Sequence, residues 1–430
     1  MRSHSRSHSR FRQHAAKSVA IGAAGALLLT VASAASATVA NASTSGPGAF
    51  EHGRQHHEPG RLLSVTEVAA LSPDQVQAAV VPFFGDTKRV RYAVTDYRIT
   101  YSTVDPQGRA TTASGLVALP TGAGDRLNVI SYDHGTNPTR DAVASVTAGG
   151  GDREAVELFA SAGYAAVAPD YLGLGTGPGV HPYMDLASEV TASEDMLTAS
   201  RTLAGQHDTS LNPRVMVTGF SQGGAAAMGF AHAIQQGQAG TYWRLGAVAP
   251  MSGPYNVRTA EIPALLSNSL NPESEVLYIS FWTVAMNRIY HFYANPAEVF
   301  QQPYASIVEG LYDGDHSEQD ILSALPSNPA ALLTPQYTAR LQHPTGALLT
   351  AMTQNDVSCD WHPDAPTQIY AANGDDGVAF ANAQQCQAQL AAHGDRVKLI
   401  DVGAVDHNTS AELATPQVLA FFSDAADSER

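Results

Sequence analysis

The segment Val215-Met216-Val217-Thr218-Gly219-Phe220-Ser221-Gln222-Gly223-Gly224 constrains this chain more than any other. An apolar run rich in valine ends in Gly-x-Ser-x-Gly and passes at once into the alanine-rich stretch Ala225–Ala227. Strand, sharp turn and helix then follow each other with no spacer, and such a turn admits only small side chains at its close approaches. Gly219 and Gly223 stand at those places. The pattern puts Ser221 on a strained turn with its hydroxyl aimed out of the sheet. The helix N-terminus behind it favours negative charge that develops there. Ser221 is therefore read as a nucleophile, against the alternative of a glycine-rich packing turn.

A serine hydroxyl needs an imidazole base, and that base needs a carboxylate to orient it. On a strand-turn-helix elbow the chain order is serine, acid, histidine. The C-terminal part offers that order. Asn373-Gly374-Asp375-Asp376-Gly377 follows one short apolar strand, and Val402-Gly403-Ala404-Val405-Asp406-His407 follows the next. Among 16 histidines, His407 is the only one after the last predicted strand. It is expected on a loop, as the base, with a surface histidine as the alternative. Asp375 is preferred as the acid over Asp376, with Asp401 and Asp406 weaker. An oxyanion needs two backbone N–H donors. Gln222, directly after the nucleophile, supplies one. Thr136, in the turn Asp133-His134-Gly135-Thr136-Asn137-Pro138, supplies the other, with Gly135 a near alternative. Asp170-Tyr171-Leu172-Gly173-Leu174-Gly175 and His181-Pro182-Tyr183 either shape a pocket or are plain turns. No Walker A sequence, dinucleotide fingerprint or HExxH spacing occurs, so neither cofactor nor metal is expected.

The surrounding pattern is that of an α/β fold. Val90–Val104 alternates apolar and polar residues, and the turn Asp105-Pro106-Gln107-Gly108 leads to a second strand at Ala113–Leu119. Strands at Leu127–Tyr132, Tyr164–Ala168, Arg214–Thr218 and Leu245–Ala249 alternate with helices at Glu154–Ala162, Leu186–Leu203 and Gly223–Ile234. This rhythm predicts a mainly parallel mixed sheet, with helices on both faces and a leading hairpin. Pro254–Pro366 interrupts it with helical patches and exposed-looking aromatics at Tyr278, Phe281, Trp282, Tyr290, Phe292 and Tyr293. It reads as an inserted helical cap. The alternation resumes with strands at Thr367–Ala371 and Val397–Val402 and helices at Phe380–Ala392 and Pro416–Phe422.

Charge narrows the compartment and partners. The 430 residues carry 40 Asp+Glu against 24 Lys+Arg, a net charge of −16 that would repel nucleic acid. The N-terminus is nonetheless basic, with Arg2, Arg6, Arg10, Arg12 and Lys17. The apolar run Val19–Ala32 and the small-residue site Ala35-Ser36-Ala37 follow. This is the form of a secretory signal peptide over residues 1–37, which implies an extracellular or periplasmic protein. Cleavage there removes five cations and no acid, taking the net charge from −16 to −21. Self-repulsion of that size predicts a soluble monomer. Residues 38–61 read as a flexible leader, whose His52, His56 and His57 look solvated, and 62–430 as one catalytic domain. Secretion permits a disulfide, and Cys359 and Cys386 have only each other to pair with. The alternative is two buried thiols. No later apolar run is long enough for a stable membrane insertion.

Taken together, Tyr132-Asp-His-Gly-Thr136, Ala168-Pro-Asp-Tyr171-x-Gly-x-Gly175, Gly219-Phe-Ser-Gln-Gly-Gly224, Gly374-Asp375 and Asp406-His407 resemble the secretory lipases. That family of α/β-hydrolases includes the Candida lipase A-like enzymes and their bacterial relatives. The resemblance runs from about Val90 to Phe422. It implies an α/β-hydrolase fold, with Ser221 as nucleophile, Asp375 as acid, His407 as base and a lid in the Pro254–Pro366 insertion. Where the family often has Asp-x-x-Val-Pro, this chain has Asp375-Asp376-Gly377-Val378-Ala379. The expected activity is cleavage of small-molecule or lipid carboxylic esters. Peptidase or aminopeptidase chemistry on the same triad would need a charged anchor for the peptide, which the sequence does not locate. Deacylase or thioesterase action differs only in the leaving group. A non-catalytic binder would lack a triad member.

Overall fold

A computed structural model describes residues 58–85, 88–394 and 396–427. The expected signal peptide and most of the leader, with its three histidines, lie outside the described residues. A nine-stranded sheet runs through the molecule in the order β1-β2-β3-β5-β4-β6-β7-β8-β9. The strands are β1 (Leu62–Leu71), β2 (Ala93–Val104), β3 (Ala110–Thr121), β4 (Arg126–Asp133), β5 (Ala165–Pro169), β6 (Ser210–Phe220), β7 (Arg244–Met251), β8 (Gln368–Ala371) and β9 (Lys398–Asp401). From β1 to β5 neighbouring strands pair antiparallel, and from β5 to β9 they pair parallel. The mixed, mainly parallel sheet expected from the pattern is therefore present.

Side-chain alternation decides what covers each face. On β4, β6 and β7, Val129, Val215, Val217 and Val248 join one core with Met196, Leu203, Met228 and Phe230 from the helices Leu186–Gln206 and Gln222–Gln235. Their neighbours Ile130, Met216, Ala247 and Ala249 point the other way. They pack with Val156 and Phe159 of the helix Asp152–Ser161 and with Val418, Leu419 and Phe422 of the helix His407–Asp427. Both faces of the parallel region are covered, which is why these strands read as continuous apolar runs.

Several elements differ from the sequence expectation, among them β6, which begins at Ser210 rather than Arg214. Strand β1 and the helix Pro73–Phe84 precede the expected first strand. β1 is an edge strand with mostly exposed side chains, so it carries no apolar alternation to read. The last helix spans His407–Asp427, running through Pro416 rather than starting there. Its N-cap is Asp406, whose carboxylate accepts from the Thr409 N–H at 2.9 Å.

Between β7 and β8 the chain builds a set of helices, the longest Pro272–Tyr290. They hold a core of their own that includes Val276, Trp282, Met286, Tyr312, Tyr337 and Met352. The aromatics that looked exposed are not. Phe281, Trp282, Phe292 and Tyr293 are buried, and Tyr278 and Tyr290 pack partly buried against them. An insertion this long must bury apolar surface to stay folded, and its helices have one another rather than the sheet to do it with. A Cys359–Cys386 disulfide ties the end of this insertion to the helix Ala381–Ala392.

Candidate active site

The order β5-β4-β6 contains the point where consecutive connections leave β4 in opposite directions, and α/β sheets open a crevice there. Asp133 at the end of β4 is in register with Gly219 near the end of β6, so the loops that follow emerge side by side. Ser221 has φ 56° and ψ −123°, a left-handed conformation that costs a non-glycine residue roughly 1–3 kcal/mol. The surroundings hold it there. Its N–H donates to the Met251 carbonyl at 2.9 Å, and its carbonyl accepts from the Gly224 N–H at 2.8 Å. A Cβ on Gly219 would lie 2.2 Å from the Gly223 oxygen, and one on Gly223 would lie 2.0 Å from the Asp133 oxygen. Any side chain at either place would push the turn off the sheet.

Strands β8 and β9 are adjacent, with Ala371 opposite Asp401. The loops after them carry Asp375 and His407 and touch where a Cβ on Gly374 would lie 2.7 Å from the Ala404 carbonyl carbon. His407 is the first residue of its helix, not a loop residue, because Asp406 caps the helix one position earlier. Its Nδ1–H lies 2.9 and 2.8 Å from the two oxygens of Asp375, and its Nε2 accepts from Ser221 Oγ at 2.8 Å. Asp375 is itself held by the N–H groups of Gly377 and Val378, at 2.9 and 2.8 Å. Ser221 and His407 are 3% and 6% exposed, so this relay is shielded from bulk water. Such an arrangement can take a proton from Ser221 Oγ onto His407 while Asp375 stabilises the imidazolium.

The other acids considered from sequence serve local structure. Asp376 accepts from the His407 N–H at 3.2 Å, Asp406 is the cap, and Asp401 binds the Asn373 side chain at 2.7 Å. Gln222 begins the helix behind Ser221, and Thr136 lines the same cavity as Ser221, its hydroxyl 2.8 Å from that of Tyr183. At Gly135 a Cβ would lie 3.4 Å from the Ser221 Cβ, so this loop packs directly on the elbow.

One group of residues was not legible as a unit. The Gln222 amide nitrogen donates to Glu189 at 2.6 Å and sits 2.9 Å from His181 Nε2. Burial lifts the Glu189 carboxyl to about 8 and drops His181 to about 3, so both are neutral near pH 7. The three lie far apart in sequence, and no spacing joins them. The His181-Pro182-Tyr183 turn thus does two things: His181 braces Gln222, while Tyr183 lines the cavity.

That cavity, of about 70 Å³, runs from Ser221 under the helical insertion. Met184, Val257, Ile262, Leu265, Ile279 and Trp282 make it largely apolar. Glu261 and Glu275 are its two acids, and none of its lining residues is Lys, Arg or His.

Solved structures similar to this chain include hydrolases. A Legionella pneumophila protein assigned as a hydrolase is 26% identical, with 86% of this chain and 99% of that chain covered at a TM-score of 0.79. The rice cell wall degrading esterase LipA of Xanthomonas oryzae is 27% identical, with 86% of this chain and 100% of that chain covered at a TM-score of 0.76. Candida antarctica lipase A in its closed state aligns at a TM-score of 0.62 over 86% of this chain and 83% of its own. Its 14% identity makes that a likeness of fold alone. No protein-family model and no curated protein matches the chain. The chain is an α/β-hydrolase. Within that fold it is similar to the Xanthomonas esterase LipA and, in architecture, to Candida antarctica lipase A.

Proposed function

We propose that the protein is a secreted serine hydrolase that cleaves carboxylic esters through Ser221, His407 and Asp375. The observation that carries this reading is the unbroken hydrogen-bonded chain Ser221 Oγ–His407 Nε2 and His407 Nδ1–Asp375, at 2.8 Å for both links. The esterase neighbour from Xanthomonas oryzae supports ester chemistry over other hydrolyses. Secretion is supported by the basic-then-apolar N-terminus and by the disulfide. Among the described residues no helix is long and apolar enough to cross a membrane.

In this mechanism Ser221 Oγ attacks the ester carbonyl carbon as His407 Nε2 takes its proton. The oxygen of the tetrahedral intermediate accepts from the Gln222 and Thr136 N–H groups. His407 returns the proton to the alkoxy oxygen as the carbon–oxygen bond breaks, and the alcohol leaves. Water then attacks the acyl-enzyme with His407 again the base, releasing the acid and restoring Ser221. The small apolar cavity favours a short acyl group in this arrangement of the cap.

The test is hydrolysis of p-nitrophenyl butyrate and p-nitrophenyl palmitate by the mature protein and by Ser221→Ala. Butyrate should be the better substrate, and the variant's kcat should fall by at least about 10⁴-fold with an unchanged circular dichroism spectrum. Activity that survives in Ser221→Ala refutes the nucleophile.

A further inference from the structure

One carboxylate in the cavity lacks hydrogen-bond partners on both of its oxygens. Glu275 is 3% exposed, and neither of its carboxylate oxygens has a hydrogen-bond partner among the described residues. An ionisable group in that position is costly and needs a reason. Helix capping is not the reason. Glu275 lies in the first turn of Pro272–Tyr290, but Asn271 caps that helix, accepting from the N–H groups of Glu273 and Ser274 at 3.0 and 3.4 Å. The Asn271 N–H, which a capping-box glutamate would satisfy, goes instead to the Asp376 carbonyl at 2.7 Å. That bond also fixes where Glu275 sits, because it fastens the helix start to the loop of the acid Asp375. Glu261 stands nearby and differs. Its carboxylate accepts from the Ala379 N–H at 3.2 Å and from the Asn382 amide, so it braces the acid loop.

The aromatic part of this largely apolar wall suits a cation. Tyr183, Tyr278 and Trp282 present aromatic rings to the same space, and aromatic faces attract cations, more strongly when desolvated. Of the two acids in the lining Glu261 is already engaged, and no basic residue there answers Glu275. We infer that this cavity is a subsite for a protonated amine, anchored by Glu275. The preferred substrates are then esters or amides whose group in the cavity carries an ammonium. An ammonium supplies up to three donors to the unpartnered oxygens, which a neutral alkyl chain cannot do. Burial pushes the Glu275 carboxyl up to about 7, and a bound cation would draw it back toward the ionised form.

This inference rests on Ser221 being the reacting serine, since the subsite serves it, but binding can be measured without turnover. n-Hexylammonium and n-hexanol are probes of one shape that differ in charge. Titration calorimetry of each into Ser221→Ala reads affinity with no chemistry, and competition against p-nitrophenyl butyrate in the wild-type protein reads whether the probe occupies the site. We expect hexylammonium to bind at least about tenfold tighter than hexanol, and to inhibit competitively. Glu275→Gln should bring the affinity ratio to within about twofold of one, and Glu275→Leu should invert it in favour of hexanol. Because each protein is judged by its own ratio, a general loss of binding or activity cancels. Thermal melting of both variants identifies a folded sample. Equal affinities in Ser221→Ala, or a preference for the amine that survives both Glu275 substitutions, overturns the subsite. Loss of the triad reading would show separately, as esterase activity in Ser221→Ala.

Discussion

Ser221, Asp375 and His407, which the structure brings into one hydrogen-bonded chain, could be singled out because their neighbours in sequence carry the constraint. Gly219 and Gly223 mark the elbow, and the strand-end positions of Asp375 and His407 mark the sheet's carboxyl edge. Gly377 shows how finely the acid loop is fitted. A Cβ there would lie 2.8 Å from His407 Cγ and 3.0 Å from its Cδ2. Gly377→Ala should therefore push the imidazole off the Ser221–Asp375 line. The expected result is a fall in kcat of about 10²-fold with KM little changed, measured on p-nitrophenyl butyrate. A variant with full kcat would show that the loop yields elsewhere. The Glu189–Gln222–His181 group was not legible for the opposite reason. Its members meet only when three separate segments pack, and their sequence surroundings look like ordinary helix and turn.

At the level of elements, the parallel strands could be located because both faces are buried and the apolar runs are continuous, though β6 begins four residues before its expected start at Arg214. The edge strand β1 left no such trace. The segment between β7 and β8 was legible as an interruption but not as a packed unit, since its aromatics pair across short helices. Tyr183 from the sheet side stacks on Phe281 of the long helix at a centroid distance of 4.2 Å, a contact no periodicity announces. The disulfide works at this scale. It closes a separation of 27 residues and holds the insertion's exit to the helix Ala381–Ala392. A loop of that length constrains the unfolded chain by about 3–4 kcal/mol. Reduction should lower the melting temperature by several degrees, read by calorimetry with and without dithiothreitol. Two free thiols titrated in the unfolded, unreduced protein would contradict the bridge.

Several carboxyls are buried among the described residues, and they set the response to pH. Burial raises Glu157 to about 9, and Glu189 and Glu261 to about 8 each. Each holds a proton in the folded state that the unfolded chain, with an ordinary glutamate value of 4.5, has already released. The folded state binds more protons across that window, so stability falls as pH rises toward the folded values. His181 acts in the opposite direction. Its value of about 3, against an ordinary 6.5, adds stability as pH rises, but only up to that ordinary value. Above about pH 6.5 the carboxyls are unopposed by His181. The melting temperature should therefore decline from about pH 7 to about pH 9, and Glu157→Gln should flatten the decline. A melting temperature that rises over that range would refute the assignment of these carboxyls as protonated.

The sequence by itself determined the fold class, the one possible disulfide, and which serine, histidine and aspartate to look for together, and Ser221, His407 and Asp375 do lie in one hydrogen-bonded chain. Those sequence readings follow from short-range rules: periodicity, turn chemistry and the order of motifs along the chain. Only the tertiary structure decided that His407 heads a helix, that Glu189 and His181 brace Gln222, and that Glu275 is buried in the cavity that Ser221 lines, without a hydrogen-bond partner among the described residues. Burial and partnership depend on which distant segments meet. A glutamate in the first turn of a helix is ordinary in sequence, and it becomes informative only when folding buries it without a hydrogen bond among its neighbours.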